Sequence, residues 1–75
     1  MPHVVVKLWP GKSERQKQRL ADEIAASVTR IFGYGADSVS VGIEEIAAND
    51  WQDQVYEPDI LRKPATLYKK PGYEM

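Results

Sequence analysis

The chain is poor in the side chains that most enzymes use as nucleophiles. It has no Cys and a single His, His3. No Ser or Asp stands at a spacing that makes His3 part of a nucleophilic set. Gly33 and Gly35 follow a helical stretch rather than opening one, so they form no phosphate cradle. What remains is the start of the chain. Pro2 has a small side chain, of the kind that lets Met1 be trimmed. The nitrogen of Pro2 is then a free secondary amine. A free α-amino group titrates at about 7.7–8.0 in model peptides. Apolar surroundings and nearby cations lower that value. A base poised near neutrality suits proton abstraction beside a carbonyl. With Met1 retained, the same nitrogen is an amide and has no useful basicity.

Such an amine needs elements to hold it. His3 to Trp9 reads as a strand, with Val4, Val6 and Leu8 on one face and Val5, Lys7 and Trp9 on the other. Pro10 and Gly11 end it. A helix is predicted from about Glu14 to Phe32. Ser13 caps it, and Gln16 stands three residues later to complete a capping box. Leu20, Ile24, Val28 and Ile31 make its apolar stripe, and Gly33 supplies the left-handed cap. A second strand is expected from about Ser38 to Ile46, with Val39, Val41 and Ile43 on one face. The helix is long enough to be a crossover, so the strands should be parallel. Beyond Ile46 the pattern weakens. A short turn through Trp51 to Tyr56 is expected. Pro58, Pro64 and Pro71 should divide the rest into short helical pieces, near Asp59–Leu61 and Ala65–Lys69. The chain reads as one α+β domain over residues 1–75: a single βαβ unit to residue 47, then a tail.

Seventy-five residues make one small domain, and a chain of that size is marginal alone. Without Cys there is no disulfide, and one His gives no zinc site. A partner chain is therefore expected. A two-stranded sheet also leaves one face bare and its edges open, which a second copy would cover, forming a four-stranded sheet with helices on one face. The formal net charge of −1 and the lack of a basic stripe argue against nucleic acid. No apolar run approaches a membrane span, and no export signal is apparent, so a cytoplasmic location is expected.

Several short segments, in order and at matching spacing, resemble the 4-oxalocrotonate tautomerase family. They are Pro2 to Lys7, the Ser13 to Phe32 helix, the Ser38-Val39-Ser40-Val41 strand and Trp51. The ending Lys69-Lys70-Pro71-Gly72-Tyr73 is similar to the dimeric PptA-type subgroup, which favours phenylpyruvate-like enols. The resemblance implies a tautomerase/MIF-like fold and a keto–enol tautomerase acting on a 2-keto acid, without cofactor or metal. It makes Pro2 the base and Trp51 the aromatic wall that excludes water. Where the founding enzyme has a carboxylate-binding arginine after the first strand, this chain has Lys12, which keeps the charge but loses the bidentate fork. Where that enzyme has an arginine in the second strand, this chain has Ser40, which can donate one hydrogen bond but no charge. Lys69 or Lys70 can supply a further cation if the tail folds over the site, with Arg62 a weaker candidate. A homodimer is implied, with a hexamer as the alternative. Two other readings stay open: a hydratase or dehalogenase in which Pro2 acts as an acid beside Glu44 or Glu45, and a non-catalytic βαβ binding or assembly module.

Overall fold

Alternating apolar residues draw His3–Leu8 into a strand, β1, and Ser40–Glu45 into a second, β2. The computed structural model describes Met1–Met75. Between the strands, Glu14–Phe32 forms helix α1, matching the expected bounds. Its start is fixed by a complete capping box. The Gln16 amide N–H donates to the Ser13 hydroxyl at 3.1 Å, and the Ser13 N–H donates to the Gln16 side-chain oxygen at 3.0 Å. Its end is fixed by Gly33, whose φ of 78° is left-handed and whose N–H donates to the Thr29 carbonyl.

β1 and β2 pair in parallel, with His3 opposite Ser40 and Leu8 opposite Glu45. That register puts Val4, Val6, Val41 and Ile43 on the face beneath α1. His3, Val5, Lys7, Ser40, Gly42 and Glu44 share the other face. β2 begins two residues later than expected, because Ala36–Ser38 close a 3₁₀ turn before it. Lys17 ties α1 to the end of β2 through an ion pair with Glu45 at 3.4 Å, and it pairs with Glu14 within the helix at 2.7 Å. The helical stripe is only partly covered. Ile24 and Val28 are half-buried, whereas Ile31 is 69% exposed.

The C-terminal third departs from expectation. Pro58 does not divide it. Gln52–Leu61 is one continuous π-helix that contains Pro58. In an α-helix the Pro58 ring would collide with the carbonyl four residues back. The wider π register, seen in the Arg62 N–H donating to the Glu57 carbonyl at 3.1 Å, takes that carbonyl out of the way. The expected helical piece at Ala65–Lys69 shrinks to a 3₁₀ turn at Pro64–Thr66. The two buried residues of the chain, Val55 and Tyr56, both lie on the π-helix.

Candidate active site

The chemistry-bearing residues gather at the two ends of β1. At its start, Ser40 donates its backbone N–H to the Pro2 carbonyl at 3.1 Å. Across the strand pair, the Ser40 hydroxyl lies 2.7 Å from Nδ1 of His3. Pro2, His3 and Ser40 thus form one small polar group. At the far end of β1, Lys7, Leu8 and Trp9 meet Trp51, Tyr73 and Met75 around a cleft of about 510 Å³. Trp9 and Trp51 stand edge to face, at 88° with centroids 6.5 Å apart. Such a corner offers a planar apolar group one ring face and one ring edge. The Trp51 indole N–H donates to the Tyr73 hydroxyl at 3.0 Å. The Tyr73 ring in turn rests on Tyr56, with centroids 5.7 Å apart.

Within one chain these two groups do not meet. Pro2 and Trp9 stand seven residues apart along the extended strand, roughly 23 Å at the ~3.3 Å rise of a parallel strand. Lys12 lies just beyond the Trp9 end, exposed and without an ion pair. Lys69 borders an adjoining hollow that also includes Val5, Lys7, Trp51 and Asp59. Lys70 is exposed and lines neither space. No three His, Cys, Asp or Glu side chains come together in a way that would hold a metal ion. No helix is long and apolar enough to cross a membrane.

Residues 2–55 match the family model described as tautomerase enzyme, a span that holds Pro2, Ser40 and Trp51. The chain belongs to the tautomerase family. It is similar to Tautomerase PptA of Pectobacterium carotovorum, at 45% identity over 97% of both chains. It is also similar to a probable tautomerase of Xylella fastidiosa, at 44% identity over 97% of this chain and 89% of that one. Among solved structures it resembles TomN, a 4-oxalocrotonate tautomerase homologue of the tomaymycin biosynthetic pathway. That match has a TM-score of 0.65 and 26% identity over 67% of this chain and 77% of TomN. The βαβ unit with parallel strands is therefore the tautomerase fold, and the protein is an isomerase of the tautomerase class.

Three features of this tautomerase were not singled out from sequence. Trp9 forms half of the aromatic corner. Tyr73, read as a packing residue, holds the Trp51 indole. Lys7 is the one charged residue lining the cleft, and its ammonium lies 2.6 Å from the Asp59 carboxylate. The hydrogen bond that the Lys7 ammonium donates to the Asp59 carboxylate raises the Lys7 pKa above its ordinary 10.5, with smaller support from the charges of Asp59 and Glu44. Strand alternation already places Lys7 on the face away from α1. Its partner lies 52 residues on, beyond any local pattern.

Proposed function

We propose that this tautomerase interconverts the enol and keto forms of a 2-keto acid with an apolar, phenylenolpyruvate-like body. Pro2 is its general base once Met1 is removed. The cytoplasm is the compartment in which we expect it to work. The observation that carries the substrate class is the cleft at the far end of β1. Its walls are Trp9, Trp51, Tyr73, Leu8 and Met75, and its one cation, Lys7, is already engaged by Asp59. A dicarboxylate would find too little positive charge there. A monoacid with a flat apolar body finds an aromatic corner.

The reaction is a proton shuttle. The Pro2 nitrogen takes the enol hydroxyl proton as the carbonyl forms, and a proton is delivered to the adjacent carbon. Trp51 keeps water from that carbon. Lys12, free of carboxylate partners and three residues past Trp9, is the cation we assign to the substrate carboxylate, with Lys69 second and Lys70 third. Ser40, held by His3, donates a hydrogen bond at the Pro2 end. The working unit is a homodimer. Two β1 strands laid antiparallel along their free edges bring Pro2 of one copy to the Trp51 cleft of the other, and the result is a four-stranded sheet.

The test follows the ultraviolet decay of phenylenolpyruvate, with intact mass measured on the same sample. Protein that has lost one methionine residue should ketonise it well above the buffer rate. Pro2→Ala should lower kcat/KM by roughly the 10²–10⁴-fold that a positioned base supplies. A Pro2→Ala enzyme as fast as the parent would refute the proposal.

A further inference from the structure

We propose that Tyr73 is a positioning residue for the aromatic wall, setting the angle of Trp51 and with it the preference for substrates with a planar body. Tyr73 makes two contacts, one through each part of its side chain. The hydroxyl accepts the Trp51 indole N–H at 3.0 Å. The ring rests against Tyr56, which is 5% exposed and one of the two buried residues of the chain. Tyr56 thus anchors the Tyr73 ring, and the Tyr73 hydroxyl pins the indole. Pinned in this way, Trp51 stands at 88° to Trp9. The same arrangement hangs the last residues of the chain, Tyr73 and Met75, as the outer wall of the cleft.

An indole has a single polar atom, its N–H donor. With that donor held, the ring has one orientation. With it released, the ring can turn towards water and the corner opens. A planar substrate body loses its edge-to-face seat, while a short alkyl body loses little. Tyr73 touches neither Pro2 nor the carbon that receives the proton, so its removal should act on binding rather than on the chemical step. This inference rests on the proposed cleft as the place where the substrate body sits.

The experiment is a double-mutant cycle between Tyr73→Phe and Trp51→Phe, read by KM for phenylenolpyruvate and by Kd for 3-phenylpropionate and for butyrate. Tyr73→Phe keeps the ring on Tyr56 and removes only the acceptor. It should raise KM and the 3-phenylpropionate Kd about five-fold, the net worth of one hydrogen bond, with kcat within two-fold and the butyrate Kd unchanged. In the Trp51→Phe background the same change should do nothing, because the donor is gone. A second readout needs no ligand. In a Trp9→Phe background Trp51 is the sole indole, and Tyr73→Phe should shift its emission to the red. Equal effects with and without Trp51, or unchanged emission, would overturn the inference even in an enzyme whose turnover depends on Pro2. An enzyme without such turnover, yet still showing the coupling in 3-phenylpropionate binding, would sink the proposed reaction and leave Tyr73 in its role.

Discussion

Lys7 and Asp59 show how one pair can join distant parts of the chain. The ammonium and carboxylate are 2.6 Å apart, and both side chains are about one-third exposed. Water screens such a pair, so its contribution is modest, but its position matters. It fastens the π-helix to the β1 strand beside the aromatic cleft. Because the folded-state pKa of Lys7 is raised above 10.5 by Asp59, the stabilisation is complete below 10.5 and is lost as pH rises through the folded value. Asp59→Asn should therefore lower the melting temperature at neutral pH, and the gap to wild type should close in strongly alkaline buffer. Melting curves at fixed protein concentration across that range check this, and a gap independent of pH would mean that the variant acts through packing instead. At this scale the sequence was readable only in part. Pro2 and Trp51 stand out through type and position, the first as a small residue after Met1, the second through a family resemblance. Asp59 and Tyr73 do not stand out, because each acquires its role from a partner that folding brings to it.

Among the elements, legibility follows periodicity. β1 alternates with a period of two, α1 repeats its apolar stripe at three and four residues, and the Ser13 and Gly33 caps mark where the helix begins and ends. All three signals are local, and the structure repeats them with small differences at the strand ends: β1 stops at Leu8, and β2 runs from Ser40, after the Ala36–Ser38 turn, to Glu45. Gln52–Leu61 has no such signal. Its apolar residues, Val55, Tyr56, Ile60 and Leu61, fall on no single face at α-helical spacing, and Pro58 reads as a break. The break becomes a widened helix that buries Val55 and Tyr56, with Tyr56 packed on Tyr73, so that burial outweighs the proline's local preference. A prediction follows for Pro58→Ala. Alanine is about 3 kcal/mol better than proline in a helix interior, so the variant should melt no lower than wild type. It should nevertheless be a poorer enzyme, because an α-helical register rotates Asp59 away from Lys7 and shifts Trp51 against Trp9. We expect kcat/KM for phenylenolpyruvate to fall several-fold, and a crystal structure of the variant should show the tightened helix. Full activity with an α-helical Gln52–Leu61 would mean that the π register is not what places the cleft.

The single chain is more open than a compact monomer of its size. Its surface of 5967 Å² exceeds by more than a quarter the ~4,700 Å² that a folded monomer of this mass exposes. Its radius of gyration of 13.8 Å is likewise above the ~11 Å of a compact chain of this length. Large apolar side chains share in the excess. Val5, Trp9, Ile31, Phe32 and Leu61 are all exposed, and Val5 lies on the sheet face that α1 does not cover. The same chain has Pro2 just before the start of β1, while Trp51 lines the cleft with Lys7, Leu8 and Trp9 at its far end. A second copy answers both facts together, and this makes an unusual prediction. If Pro2 is the base and Trp51 the wall of a site shared between two copies, as proposed, Pro2→Ala and Trp51→Ala should each give a homodimer crippled at both of its sites. Mixed, partly unfolded and refolded together, they should form heterodimers in which one site carries both lesions and the other carries neither. Random pairing makes half the dimers heterodimers, each with one intact site, so activity should return to about a quarter of wild type in a two-fold symmetric dimer. The recovery should require subunit exchange, and mixing without unfolding should yield it only as fast as dimers dissociate. Activity equal to the mean of the two variants would place base and wall in the same chain, which is the arrangement that the length of β1 argues against.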